Sequence, residues 1–224
     1  MSELLLQVKS LGTRQHFCCF IKEYKCGINF RDCESTQKGS ALTTFENIGS
    51  ENTEQTIRLA CKRAKELNID ELVLASTSGK SALLAREICK DMKIVAVTYH
   101  AGAKSPFEMA TTAEERAELA EKGIELVCCG HALSGVERGI AKKFPGPYPV
   151  LIMAETLRMF GQGTKVAVEC AIMAADSGYL SGKTIMSLGG SAKGLDTALV
   201  LKPANMNAVF DIKIHEIVCK PSLM

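Results

Sequence analysis

The residues best suited to chemistry stand in one stretch, Ser76-Thr77-Ser78-Gly79-Lys80-Ser81. The apolar run Leu72–Ala75 precedes it and the apolar helical pattern Ala82–Met92 follows, which predicts a strand, a polar loop and a helix. The start of such a helix directs free backbone N–H groups and a positive dipole toward a ligand above the strand. Gly79 permits a tight turn, Lys80 adds charge and four hydroxyls add donors. We predict a phosphate-binding loop, and an ordinary capped helix is the alternative.

The same stretch resembles part of a P-loop, because Gly79-Lys80-Ser81 matches the end of the motif G-x-x-x-x-G-K-[ST]. The first glycine of that motif would stand at position 74, which is Leu74 inside the apolar strand. The sequence therefore argues against an ATPase or GTPase.

Other polar and glycine residues follow the remaining predicted strands or separate the helices. In an open parallel sheet, ligands bind outside the carboxyl ends of the strands, so these residues are candidates for one common rim. Two histidines in this set, His100 and His131, have the chemistry of acids, bases or donors near neutral pH, although a histidine taken singly is more often a structural cap or loop residue. The further candidate binding residues are Gly102, Gly161, Gln162, Gly163, Gly189, Gly190, Asp196 and Thr197.

Three other motifs are weak. The glycines around Ser191 fail the G-x-G-x-x-G dinucleotide pattern, so a glycine-rich hairpin close to a flat ligand or a plain turn remain open. Ser134 with Glu137 predicts a capping box at a helix start, and Asn52 with Gln55 predicts a similar cap. The chain contains no G-x-S-x-G elbow and no H-x-x-x-H pair, which argues against a serine hydrolase and against a metal site.

Composition narrows the class of protein. The 224 residues carry 27 basic and 25 acidic side chains, well mixed, with few aromatics and no Trp, so nothing suggests a nucleic-acid partner. The apolar runs are strand-sized, which predicts no membrane span and a soluble cytoplasmic protein. The ten cysteines include no C-x-x-C pair, and Cys61, Cys89, Cys170 and Cys219 fall on apolar faces, which predicts reduced structural thiols. The sequence leaves open a homo-oligomer and whether the protein is an enzyme.

The order of patterns predicts an α/β fold. Residues 1–41 lack a sustained period and are predicted to be an N-terminal extension, and residues 42–224 form the domain. Three repeats of helix followed by buried strand predict a three-layer domain with a mostly parallel sheet and helices on both faces. The alternation of apolar and polar residues in the stretch from Phe210 to Val218 predicts a final strand at an antiparallel edge.

Six motifs, in order, resemble the small stand-alone proteins related to the C-terminal α/β domain of pyruvate kinase. They are FENIGSENTEQTIRLACKRAKEL, VLASTSGKSA, VTYHAG, HALSGVERGIAKKF, ETLRMFGQGTKVAVE and SLGGSAKGLDTALVLKPA. The resemblance covers roughly residues 42 to 221. It implies a pyruvate kinase C-terminal domain-like fold without the barrel that carries kinase chemistry, and hence a protein that is not a pyruvate kinase.

The resemblance also implies a ligand. In pyruvate kinase the comparable loop holds a phosphate of a sugar bisphosphate effector, which implies a phosphorylated small molecule here and a non-catalytic sensor as one hypothesis. Flavin mononucleotide (FMN) is implied as a candidate cofactor, with its phosphate on Ser76–Ser81 and flavin-dependent oxidoreductase activity as one hypothesis. The flavin ring is then expected near His100, Gly102, Gly161–Gly163 and the turn from Gly189 to Thr197. Ile48 and Ala103 stand where the family is expected to carry a proline and a larger, often aromatic residue.

Overall fold

The structure is a computed structural model, and it describes residues 41–222. The predicted N-terminal extension lies outside the described residues except for its last residue, Ala41. The predicted domain boundary at residue 42 therefore stays a prediction.

Seven strands and six α-helices make up the described residues. The strands are β1 (Thr43–Phe45), β2 (Glu71–Ala75), β3 (Lys93–Thr98), β4 (Ile124–Cys128), β5 (Ile185–Gly189), β6 (Thr197–Lys202) and β7 (Lys213–Pro221). The helices are α1 (Thr53–Glu66), α2 (Lys80–Ile88), α3 (Ala113–Glu121), α4 (Gly135–Lys143), α5 (Pro149–Arg158) and α6 (Gln162–Asp176). Two short 3₁₀ helices, Ser50–Asn52 and Met206–Asp211, precede α1 and β7.

The strands form one sheet in the order β1-β7-β6-β5-β2-β3-β4. The pairs β1–β7, β5–β2, β2–β3 and β3–β4 are parallel, and β6 pairs antiparallel with both β5 and β7. The predicted α/β class, mostly parallel with antiparallel pairing toward one side, is confirmed.

Two details differ from the prediction for the final strand. β7 starts at Lys213, because the predicted first residue Phe210 lies in the 3₁₀ helix and is 82% exposed. β7 is also one strand inward from the edge, since Thr43 pairs with Cys219 on its outer side. The alternation therefore marks a half-exposed strand and does not show which strand is outermost.

Side chains of β2 explain why helices cover both faces of the sheet. Leu72 and Leu74 join one core cluster, with Ile57 of α1 and Leu119 of α3. Val73 points the other way, into a second cluster formed with α5 and α6. Because successive side chains alternate across a strand, an uninterrupted apolar run buries both faces, which produces the three layers.

The four cysteines predicted on apolar faces are buried free thiols: Cys61, Cys89, Cys170 and Cys219. Burial raises the pKa of Cys219 to about 12 and also raises the pKa of Cys170. These thiols behave as small apolar core residues. Within residues 41–222, every helix is too short or too polar to cross a lipid bilayer.

Candidate functional site

A cavity of about 820 Å³ opens at the carboxyl ends of the central strands. Ala75 ends β2, Thr98 ends β3 and Gly190 follows β5, and all three line it. Parallel strands bring their carboxyl ends to the same edge of the sheet, together with the first turns of the helices that follow them. The cavity therefore lies where the strand order predicts a ligand site.

The predicted loop forms one wall of this cavity, with Ser76, Thr77, Ser78, Lys80 and Ser81 among the lining residues. The loop is anchored to β3 at two points. The backbone N–H of Ser76 donates to the Val97 carbonyl at 2.9 Å, and Thr98 Oγ1 donates to the Thr77 carbonyl at 3.0 Å.

Gly79 starts helix α2 in a left-handed conformation, with φ of 82°. Its carbonyl accepts from the N–H groups of Ala82 and Leu83, so the N–H groups of Lys80 and Ser81 precede the hydrogen-bonded turns. A Cβ at position 79 would lie 3.1 Å from Leu119 Cδ1, so glycine also fits the packing. No side chain caps this helix, so the alternative of a serine-capped helix does not describe it. The arrangement is suited to an anion.

Of the other predicted site residues, Gln162 and Gly190 also line the cavity. Gly161 separates α5 from α6, with φ of 117°, and its N–H donates to the Arg158 carbonyl at 2.9 Å. Gly161 thus ends one helix and starts the next at the cavity edge, as its sequence position suggests.

Gly163 and Gly189 lie behind the cavity, where helix α6 crosses the sheet. A Cβ on Gly189 would come within 2.1 Å of the Gly163 carbonyl oxygen. A Cβ on Gly163 would come within 2.1 Å of Thr197 Oγ1. These glycines allow close packing of helix against strands, and neither residue lines the cavity.

Asp196 is fully buried and also supports the cavity from behind. Its Oδ2 accepts from the N–H of Gly49 at 3.2 Å and from the N–H of Ser191 at 3.0 Å. Its Oδ1 accepts from Thr197 Oγ1 at 2.9 Å. The carboxylate therefore ties the loop before α1 to the β5–β6 hairpin. The predicted glycine-rich hairpin is present, with Gly189 paired antiparallel to Thr197.

His100 and Gly102 lie outside the cavity lining, on the exposed segment after β3. The His100 ring meets the His131 ring edge-on, with centroids 5.5 Å apart, and His131 does line the cavity. Gly102 has φ of 85°, and its N–H donates to the Glu108 carbonyl at 2.9 Å. Whether any of the predicted residues contacts a ligand stays a prediction.

The charge of the cavity was not predicted from the sequence. Six basic residues and one acid, Glu169, line it. The basic residues are Lys80, Lys104, Arg138, Arg158, Lys165 and Lys193. This excess of positive charge favours an anionic ligand, because a cleft lined by charges of one sign concentrates ligands of the opposite charge.

The acidic residue of the cavity, Glu169, forms a buried ion pair. Lys165 Nζ lies 2.5 Å from Glu169 Oε2, and the two side chains are 4% and 6% exposed. The second oxygen, Oε1, accepts from the backbone N–H of Leu133 at 2.9 Å. His131 Nδ1 lies 3.7 Å from the same carboxylate, and burial lowers the pKa of His131.

Both predicted helix caps near the cavity are wrong. Glu137 does not bond back to the start of α4, because its carboxylate accepts from the backbone N–H of Leu151 at 2.8 Å. Asn52 makes no side-chain cap bond to α1, and its side-chain amide donates to the Asn47 carbonyl at 2.8 Å. In both cases the polar side chain joins neighbouring segments.

Fold and site together define a class of protein: an α/β domain with a cationic cavity beside a serine-rich helix start. Residues 54–201 match the family described as "Pyruvate kinase, alpha/beta domain". Because the match spans well over half of the chain, the protein belongs to this family, and the resemblance found in the sequence motifs is confirmed.

Proposed function

We propose that this protein binds a phosphorylated small molecule, with the phosphate on the Ser76–Ser81 loop. The observation that carries the proposal is the meeting of this loop with six basic residues around one cavity. Free N–H groups at the start of α2, hydroxyl donors and Lys80 together supply what a phosphate needs.

FMN is the candidate ligand that we propose, and the residues present fit it. The cavity of about 820 Å³ lies in the roughly 300–1,000 Å³ range of small-molecule sites. Apolar lining residues, Val97, Val166 and Met173, suit a flat ring, whereas the loop suits the phosphate. Ser191 Oγ is buried without a hydrogen-bond partner beside the cavity, and it is a donor available to a polar group of the ligand.

In an FMN-dependent oxidoreductase, the bound flavin would supply the redox chemistry. The protein's own part would be to hold the phosphate on Ser78, Lys80 and Ser81 and to shield the ring with the apolar lining residues. Asp196 would keep the hairpin beside the ring in place through its bonds to Gly49 and Ser191.

The second candidate function is a non-catalytic sensor of a phosphorylated metabolite such as a sugar phosphate. The number of basic residues favours it, because Lys104, Arg138 and Lys193 exceed what one phosphate on the loop requires. A ligand with two anionic groups uses such a cavity fully, and a sensor needs no reacting group beside it.

For the location and partners, we propose a cytoplasmic protein whose partner is a small molecule, without a nucleic-acid or membrane partner. The six cysteines among residues 41–222 are free thiols, which suits a reducing compartment. The cavity's charge is concentrated in a pocket, whereas nucleic acids are bound by extended basic surfaces.

The proposal is tested first with an absorbance spectrum of the freshly purified full chain, followed by thermal unfolding with added ligands. Bound FMN gives a yellow protein, and FMN raises the melting temperature more than riboflavin, which has the same ring without the phosphate. In the double variant Ser78→Ala/Lys80→Ala, we expect affinity for FMN to fall at least tenfold, roughly the loss of one charge-assisted hydrogen bond.

The matched control is Lys62→Ala, which removes the same charge from the exposed side of α1. FMN affinity should stay unchanged in this variant. A colourless protein that gains no stability from FMN would exclude the flavin, and a sugar bisphosphate would then be compared with its free sugar. No stabilisation by any phosphorylated compound would overturn the proposed function.

A further inference from the structure

His131, Glu169 and Lys165 form a polar cluster in the cavity that phosphate binding alone does not require. Glu169 is the single acid among the lining residues, and its two oxygens are engaged by Lys165 and by the Leu133 N–H. The carboxylate is therefore fixed in position and its charge is balanced. A carboxylate near an imidazole favours a proton on the ring nitrogen that faces it.

The imidazole of His131 is held on two further sides. Its ring stacks on Tyr99, with centroids 5.8 Å apart and an angle of 26°, and meets His100 edge-on. The side chain is 25% exposed, so it is packed but reachable from the cavity. Because Nδ1 is the nitrogen that faces Glu169, Nε2 is left for a ligand.

A purely structural histidine usually has its ring nitrogens hydrogen-bonded within the fold. Among the described residues, the ring of His131 makes no hydrogen bond, and Glu169 Oε2 lies 3.7 Å from Nδ1, just beyond bonding distance. The surrounding charges act in opposite directions on its pKa. Burial, Lys165, His100 and Arg138 lower the pKa, and Glu169 raises it. The lowering effects outweigh the raising one, so the pKa of His131 lies below its ordinary value, beside an ion pair whose charges balance.

We infer that His131 exchanges a proton with the ligand in this cavity, while Glu169 and Lys165 act as positioning residues. A hydroxyl or ring N–H of the ligand gives its proton to Nε2, and the electron pair stays on the ligand atom. Nδ1–H stays directed at Glu169, and the proton returns in the reverse step. The inference rests on the proposed function and deepens it: the ligand is a phosphorylated compound with an exchangeable proton away from its phosphate.

Proton transfer to His131 has an electrostatic consequence, a pKa that depends on a bound anion, and this can be measured without knowing the reaction. An imidazolium adds a positive charge to a cavity that is already basic, so an anion in the cavity should stabilise it. At the effective dielectric of about 20 that applies near a protein surface, one charge at ~8 Å changes a pKa by about 1.5 units. Anion binding should therefore raise the pKa of His131.

The experiment is an NMR titration of the histidine rings of the full chain from pH 5 to 8, without and with inorganic phosphate. His131→Gln assigns the resonance, and exposed His215 on β7 is the internal control. We expect a His131 pKa below the ordinary value in the free protein and a rise of about half a unit or more with phosphate, absent at His215. In the double variant Lys165→Met/Glu169→Gln, which leaves no unpaired buried charge, the pKa of His131 should fall further, because Glu169 raises this pKa more than Lys165 lowers it.

The backbone amide chemical shifts of Ser78–Ser81, recorded in the same samples, distinguish a failure of phosphate binding from a failure of proton exchange at His131. If phosphate moves these amides and leaves the pKa of His131 unchanged, the proton exchange is overturned and phosphate binding stands. If neither the amides nor His131 respond, both proposals are overturned. A His131 pKa that ignores the double variant would remove the assigned role of Glu169 and Lys165.

Discussion

Gly163 and Thr197 are packed so closely that a Cβ on Gly163 would lie 2.1 Å from Thr197 Oγ1. Thr197 is fully buried, and its hydroxyl donates to Asp196. The contact joins the first turn of α6 to β6, directly behind the hairpin that lines the cavity. Close approach of helix and strand is what places Gln162 and Lys165 of that helix in the cavity lining.

Gly163→Ala is expected to destabilise the protein by about 1–3 kcal/mol, because the methyl group must displace Thr197 and its bond to Asp196. Urea unfolding followed by circular dichroism measures the change. The matched control is Gly139→Ala in α4, where a Cβ meets nothing within 4 Å. That variant should gain about 0.5–1 kcal/mol from helix propensity. Equal stability of the two variants would contradict the packing argument.

The parallel half of the sheet could be predicted from the sequence, because a strand buried on both faces is apolar at every position, as Leu72–Ala75 is. The position of the edge could not be predicted. Thr43–Phe45 pairs outside β7 through contacts between residues far apart in the sequence, and the local alternation from Phe210 carries no information on them.

The loop Ser76–Ser81 could be predicted as part of the cavity because strand, polar loop and helix are adjacent in the sequence. Lys165 and Glu169 were missed, because a lysine and a glutamate four residues apart usually form an exposed pair on a helix. The sequence did contain an indication of their role, because these two charged residues interrupt a helix that is otherwise rich in Ala, Val, Ile, Cys and Met. Charges on so apolar a helix are either buried together or at a site.

Lys165→Met is expected to cost about 3–5 kcal/mol of unfolding free energy, because it leaves the Glu169 carboxylate buried without its cation. Glu169→Gln leaves the ammonium group buried in the same way. The double variant should lose much less than the sum of the two single losses, because no uncompensated charge remains. A double-mutant cycle in urea measures this coupling.

The control cycle uses Arg58 and Glu54, which have the same spacing on α1 but are 63% and 58% exposed. Their coupling should be below about 0.5 kcal/mol, since solvent screens an exposed pair. If the coupling of Lys165 with Glu169 were as small as that of the control, the pair would not be buried in solution.

Acidification should destabilise the protein through His131. Burial is the largest cause that lowers the pKa of His131 in the folded chain. Between that lowered pKa and the ordinary value of about 6.5, the unfolded chain binds a proton that the folded chain does not. This contribution to stability is therefore fully present above pH 6.5 and is lost as the pH falls, at no more than about 1.4 kcal/mol per pH unit.

The measurement compares urea unfolding of the wild-type chain and of His131→Gln at pH 7.5 and 5.5. Both proteins lose stability as other groups titrate, and the wild type should lose more, because the variant has no imidazole to protonate. His215→Gln, a change of the exposed histidine on β7, is the control for removing a histidine outside the cavity. An equal loss in wild type and His131→Gln would mean that the pKa of His131 is the same in the folded and unfolded chains.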